Sequence, residues 1–239
     1  MSKAQQTPAF KWMLILSAAL LVPALIGLGF WQIDRAEQKQ QLIQSWSEQQ
    51  VQTRLPELSE FSSDQYMNLD LQGYFDRQHY FLLENRFRDG NLGFEVVVPF
   101  STVFGERVLV NLGWIKAENN RSEKPMVSIP QSQISIQGGA RLIRPGFTLG
   151  VLSVDQTWPI RIQQLDATYI SQLLSTEIFP IEIRVKKTVI PALSLDWPVS
   201  VMMPEKHLAY ALQWFAMALA LLVLIIWNWR YMQREVRYE

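Results

Sequence analysis

The chain has 239 residues, with 22 basic and 22 acidic side chains, a net charge of zero, no cysteine and two histidines. The balanced charge argues against nucleic acid as a partner, because nucleic-acid binding usually needs a basic surface. The lack of cysteine excludes disulfides, thiolate catalysis, thiolate metal sites and covalent haem attachment through Cys-x-x-Cys-His.

The first long apolar segment covers residues 12–31. About 20 residues suffice to cross a hydrocarbon core of about 30 Å. Lys3 and Lys11 precede the segment, as in a cleaved signal peptide, but such peptides have a shorter apolar core of roughly 7–15 residues. No small-x-small cleavage site follows. We therefore predict an uncleaved transmembrane helix, after which Leu42, Ile43 and Trp46 recur at helical spacing and extend a helix to about residue 52.

A β-rich domain is predicted between the apolar segments, over residues 32–206. Alternation of polar and apolar residues predicts half-buried strands at residues 68–74, 80–85, 93–100, 107–114, 134–137, 160–163 and 181–185. Asp89-Gly90 predicts a tight turn, and Asp166 is a candidate N-cap for a helix from 167 to about 175. Strands at this spacing predict a mainly antiparallel, barrel- or sandwich-like fold. Gly73, inside a strand, indicates a bulge or a close backbone approach.

The second apolar segment covers residues 207–229 and is interrupted only by Gln213 and Asn228. Its 22 or so residues would span roughly 33 Å as a helix, so it is predicted to cross the membrane. Basic residues near both ends of the chain (Lys3, Lys11, Arg230, Arg234 and Arg237) predict cytoplasmic tails at 1–11 and 230–239. The fold class is thus two transmembrane helices flanking an extracytoplasmic β domain, in a bacterial inner membrane rather than a mitochondrial one.

The residues do not predict an enzyme. A hydrolytic triad needs a histidine beside a serine and a carboxylate, and only His79 lies within the body of the β domain. Its position in a turn before a strand predicts an exposed polar loop residue. The usual zinc ligands and a glycine-rich phosphate loop are also lacking.

His207 is the candidate binding residue. A polar ring at the start of a membrane span is costly unless it faces water, protein or a ligand. Tyr210, Ala211 and Trp214 share its face at helical spacing. A flat macrocycle could lie there with its iron on the imidazole, or these side chains could form an interfacial aromatic belt. Gln213 points about 120° away and is predicted to pack against the first helix.

Five motifs carry a resemblance to a known family. They are Gly29-Phe-Trp-Gln-Ile-Asp-Arg-Ala-Glu-Gln-Lys, Gly73-Tyr-Phe-Asp, Asn85-Arg-Phe-Arg-Asp-Gly-Asn-Leu-Gly-Phe-Glu, Val110-Asn-Leu-Gly-Trp and His207-Leu-Ala-Tyr-Ala-Leu-Gln-Trp-Phe. In this order, between two spans, they resemble the Surfeit-locus-one family of cytochrome c oxidase assembly proteins, in its bacterial form. The chain departs from the family at Leu112 and Lys116, where an arginine and a proline are usual.

The resemblance implies a non-enzymatic factor that holds haem a and assists its insertion into subunit I of cytochrome c oxidase. It implies His207 as the iron ligand, with haem a synthase and membrane lipid as further partners. Arg35 could pair with a haem propionate, or it could be a solvated flanking charge. The alternatives are a cofactor-free clamp that stabilises oxidase subunits and an anchored extracytoplasmic enzyme or sensor.

Overall fold

The computed structural model describes residues 8–48, 50–61, 65–118, 123–144, 155, 157–197 and 202–235. These residues form three α-helices, α1 (Pro8–Ser47), α2 (Ala167–Leu174) and α3 (Pro204–Glu235), and a short 3₁₀ helix at Leu58–Glu60. Their strands are β1 (Met67–Phe75), β2 (Phe81–Arg88), β3 (Asn91–Thr102), β4 (Arg107–Lys116), β5 (Ile134–Leu142), β6 (Ile160–Ile162) and β7 (Ile181–Val185). The chain divides into two compact units, Met1–Gln41 with Ser200–Glu239, and Leu42–Val199.

Two helical segments are long and apolar enough to cross a membrane, Ala19–Ser47, most of which belongs to the first unit, and Pro204–Arg230, which lies within it. Helix α1 is continuous to Ser47, which confirms the predicted helix beyond residue 31 but ends it before residue 52. Pro23 lies inside it and removes one backbone donor. Large apolar side chains point outward along α3, as on a helix that faces lipid, among them Leu212, Leu219, Leu224 and Trp227.

Some residues used to predict the topology lie outside the described part of the chain. Lys3 and Arg237 are among them, and the side chains of Lys11, Trp12 and Arg234 are not described either. The boundaries of the spans and of the domain at 32–206 therefore stay predictions.

The second unit is built on a closed five-stranded barrel. Neighbouring strands follow the order β1, β5, β7, β4, β3, and β3 closes the barrel by pairing back with β1. All pairs are antiparallel except β4 with β7. Strand β2 extends the sheet beyond β3, and β6 adds to β2 in parallel. The barrel option of the predicted fold and all seven predicted strands are confirmed.

Alternation along the strands produces two apolar cores on opposite faces of the sheet. Val96, Val98 and Val110 point into the barrel interior, which also contains Phe100. Val97 and Leu109 point the other way and pack with Phe81 and Leu83 beneath α2, in a smaller core. A strand with cores on both sides has few positions for polar residues, so most residues of β3 are buried.

Local signals place the turns and the short helix as predicted. Asp89 and Gly90 form a two-residue hairpin turn and both have positive φ, at 47° and 75°. A turn with two positive φ angles matches the right-handed twist of paired strands. The side chain of Asp166 accepts from the backbone N–H of Tyr169 at 3.0 Å, so it is the N-cap of α2.

The last turn of α1 packs on the outside of the barrel. The backbone N–H of Tyr66 donates to Ser45 Oγ at 3.0 Å, and the ring of Tyr66 lies edge-on to Trp46 at 4.8 Å. A Cβ at Gly139 would lie 2.6 Å from the Trp46 ring. The absence of a side chain at Gly139 therefore makes room for Trp46.

Candidate functional site

His207 lies in the first turns of α3 and is buried, with 9% of its surface exposed. Its Nδ1 atom is 2.7 Å from Oε1 of Gln32 on α1. An amide oxygen can only accept, so Nδ1 carries the proton and donates it. The hydrogen bond therefore leaves the lone pair of the neutral ring on Nε2.

The Nε2 atom of His207 is buried and has no hydrogen-bond partner among the described residues. Leaving a buried polar atom unpaired costs roughly 1–3 kcal/mol. A neutral imidazole nitrogen with a free lone pair is also the commonest metal-ligating group in proteins. The ring is thus oriented through Nδ1, and its other nitrogen, Nε2, is buried with an unpaired lone pair.

Small residues let α1 and α3 approach each other beside this histidine. A Cβ at Gly29 would lie 2.5 Å from Cε1 of Phe215, and the Phe215 ring meets Phe30 edge-on at 5.4 Å. Ala211 and Ala218 are buried on the same stripe of α3 as His207. These contacts hold the two helices in the register that aligns His207 with Gln32.

The residues that were predicted to share the face of His207 differ in exposure. Tyr210 is 44% exposed, and Trp214 is half-buried. Gln213 is exposed, so the prediction that it packs against the first helix is wrong. Phe215 makes that contact instead, because the bulky ring fills the space left by Gly29.

Arg35 belongs to an exposed stretch of α1. Its Nη1 atom donates to Gln38 Oε1 at 2.9 Å, and its guanidinium lies 5.5 Å from the centre of the Trp31 ring. Gln38 in turn donates to Asp34 at 2.9 Å. No contact between Arg35 and His207 occurs in the described part of the chain, and both interpretations of Arg35 remain predictions.

His79 lies in a loop before β2, as predicted, but it is half-buried rather than exposed. Its Nδ1 atom donates to Asp76 at 2.9 Å, and its ring lies edge-on to Trp158 at 4.8 Å. Burial raises the pKa of Asp76, but hydrogen bonds from the His79 side chain and the Gln78 and His79 backbone leave it below its usual value. These contacts make His79 part of a stabilised turn.

Within the described ranges, no group of three or more His, Asp and Glu side chains converges as a metal site would. The site therefore offers one donor, His207. Gln32, its partner, was not singled out from the sequence. It stands in the Gly29-Phe-Trp-Gln motif, so a polar residue directly after the apolar segment 12–31 was the available signal.

Two apolar helices, a small mixed barrel and a buried imidazole held by an amide define a class of helix-anchored β domain. The model of the SURF1 family matches residues 19–219, so the chain belongs to the SURF1 family. It is 25% identical over 232 residues to Surfeit locus protein 1 of Takifugu rubripes, covering 88% of this chain and 92% of that protein. It is 24% identical to a SURF1-like protein of Rickettsia felis, covering 84% and 90%.

Proposed function

We propose that this protein is an assembly factor for a haem–copper terminal oxidase, which holds haem a and assists its insertion into subunit I. The observation that carries the proposal is the buried, unpartnered Nε2 atom of His207. Such a nitrogen could ligate haem iron. Family membership supports the role, because the resemblance of the motifs implies oxidase assembly.

The residues around His207 are compatible with a protein that binds haem reversibly. Gln32 fixes the orientation and the tautomer of the ring, as residues behind a ligating histidine commonly do. His207 would hold the iron of haem a, which would supply an apolar macrocycle with two propionates. A single protein ligand allows release to a partner. Because Nε2 is buried, binding requires a local opening between α1 and α3.

We also propose that α1 and α3 span a bacterial inner membrane, with both termini in the cytoplasm and the barrel outside. The length and hydropathy of Ala19–Ser47 and Pro204–Arg230 support two spans. The basic residues beyond the spans support the orientation. Oxidase subunit I and haem a synthase are the proposed partners, and no catalytic step is assigned to this protein.

The test is the haem content of the purified protein after co-expression with the enzymes of haem a synthesis. His207→Ala should lose most of the haem while the protein stays folded and inserted. His207→Met should retain part of it, because a thioether also ligates haem iron. Trp214→Ala should weaken binding less, since it removes a packing surface. His79→Ala, the control, should bind like the wild type.

A cofactor-free clamp is the second candidate function. It is favoured by the close packing of Gly29 against Phe215 and by the hydrogen bond between Gln32 and His207, which serve helix association without any ligand. The clamp predicts no haem in any variant and the greatest loss of stability for Trp214→Ala. Equal haem in the wild type and in His207→Ala would reject His207 as the ligand.

A further inference from the structure

An arginine-lined cleft lies on the outer face of the barrel, away from the apolar interior. Its volume is about 230 Å³, and its lining includes Arg86, Arg141, Arg144 and Arg184, with Glu182 as its only carboxylate among the described residues. We call it the arginine cleft. Four guanidinium groups around one small cavity repel each other at this range, so negative charge is expected to offset them.

Two buried glutamates hold part of this positive charge in place. Glu182 Oε2 accepts from Nε and Nη2 of Arg141 at 3.0 and 2.9 Å, and its Oε1 lies 3.4 Å from Nε of Arg184. Glu95 accepts from Arg88 at 2.8 Å and lies 3.6 Å from Arg86. The carboxylates thus fix the guanidinium groups to the strands.

Asn111 connects the two carboxylates. Its Nδ2 atom donates to Glu95 Oε2 at 3.0 Å and to Glu182 Oε1 at 2.8 Å. One amide therefore holds two acids side by side, and all three side chains are buried. A buried network with its donors and acceptors paired is rigid. The arginines that it anchors are pre-positioned.

The positive charge of the arginines exceeds the negative charge of the two glutamates. Glu95 and Glu182 pair with four arginines, Arg86, Arg88, Arg141 and Arg184, and Arg144 also lines the cleft, so five positive charges accompany two negative ones, an excess of three. Arg144 is exposed, and no described residue accepts a hydrogen bond from it or from Nη2 of Arg184. A network that served only to neutralise the two acids would not require these additional cations.

We propose that the arginine cleft is a binding site for a phosphate group. Arginine forks match the geometry of phosphate oxygens and bind them through two hydrogen bonds. A phosphate with up to two negative charges also offsets more of the excess than a single carboxylate does. The group could belong to free phosphate or to a phospholipid headgroup, which share this chemistry. The proposal does not depend on haem binding.

The test is titration calorimetry on the full-length protein in detergent at constant ionic strength. One arm uses inorganic phosphate and the other a short-chain phosphatidic acid. The wild type should bind at least one probe saturably at one site. Arg144→Gln and Arg86→Gln should weaken that binding about tenfold or more, because each removes charge-assisted hydrogen bonds. Arg144 has no described structural partner, so its variant should keep the wild-type melting temperature.

Arg77→Gln is the matched control, since Arg77 is exposed, lies outside the cleft and has no ion pair with a described residue. It should bind like the wild type. Binding of inorganic phosphate identifies a free anion as sufficient, and binding of phosphatidic acid alone identifies the lipid headgroup. Binding of neither probe overturns the proposal. So does an equal loss in Arg77→Gln, or wild-type affinity in Arg144→Gln.

Discussion

Gln32 determines which nitrogen of His207 is free. Gln32→Leu removes the acceptor for Nδ1–H, so the proton can move to Nε2 and occupy the proposed ligand position. We expect this variant to retain about tenfold less haem than the wild type after co-expression, as found for residues behind metal ligands in general. Gln32→Glu keeps an acceptor at the same place and should retain most of the haem.

The tautomer itself can be observed without haem. Nitrogen chemical shifts of the His207 ring should show a protonated Nδ1 in the wild type and in Gln32→Glu, and a shift toward protonated Nε2 in Gln32→Leu. If Gln32→Leu retains wild-type haem and the wild-type tautomer, the 2.7 Å contact does not orient the ring.

Gly73 is a second position where the size of one side chain determines the stability of the protein. A Cβ there would overlap the carbonyl oxygen of Ser101 and lie 2.7 Å from the Phe100 ring, where β1 pairs with β3 to close the barrel. Gly73→Glu would also place a charge in a buried position. We expect a loss of roughly 3 kcal/mol or more in the free energy of unfolding, measured by thermal melting and protease resistance.

Gln72→Glu is the matched control for this substitution. It adds the same carboxylate one residue earlier, on the exposed face of β1. The change in stability should stay within about 0.5 kcal/mol. Similar losses in both variants would show that the added charge, and not the crowding at Gly73, is responsible.

At the level of elements, local patterns predicted the strands well. Alternation, as along β1, or a short apolar run between turn signals, as in β3, was enough to identify the strands, and the Asp89-Gly90 turn and the Asp166 cap act within a few residues of chain. These signals are local because they depend on backbone twist and on capping hydrogen bonds. They do not specify which strands become neighbours.

Contacts between distant segments were not predictable from such patterns. The closure of the barrel through β1 and β3 and the parallel pairing of β4 with β7 depend on packing across the whole unit. The Gln213 prediction failed for the same reason. Helical spacing gives the angle between side chains on one helix, whereas Gly29 on the other helix determines where a large side chain fits.

Glu182 on β7 gives the barrel a pH dependence. Burial raises the pKa of its carboxyl, but Arg184, Arg141 and Asn111 outweigh burial and lower the pKa to about 2 from 4.5. A lowered pKa in the folded state means stability that is full above the unfolded value and is lost as the pH falls. We therefore expect barrel stability to fall between about pH 4.5 and pH 2.

Glu182→Gln tests this source of acid sensitivity. It should cost roughly 3–5 kcal/mol at neutral pH, because Arg141 and Arg184 lose their shared carboxylate. It should also reduce the fall in stability below pH 4.5. The fall should not vanish, since Asp155 and Asp76 also have lowered pKa values. Asp89→Asn, at an exposed turn, is the control. A fall in stability below pH 4.5 as large in Glu182→Gln as in the wild type would contradict the prediction.

At the scale of the whole molecule, the two units have different surfaces. The first unit exposes many large apolar side chains along α3, whereas the second unit has two buried apolar cores and exposes fewer such side chains, among them Phe87 and Met126. This contrast is expected of a protein whose helices face lipid and whose barrel faces water. The side of the membrane on which such a barrel lies depends on the charges that flank the helices.

The basic residues near the ends of the chain predict that side. Lys3 and Lys11 before the first span, and Arg230, Arg234 and Arg237 after the second, should hold both termini in the cytoplasm. A reporter fused at residue 120 should therefore be active outside the cytoplasm, and one fused at the C-terminus inside it. Replacing the three C-terminal arginines by glutamine should weaken the retention of that end. Activity of both reporters in one compartment would rule out a hairpin with two spans.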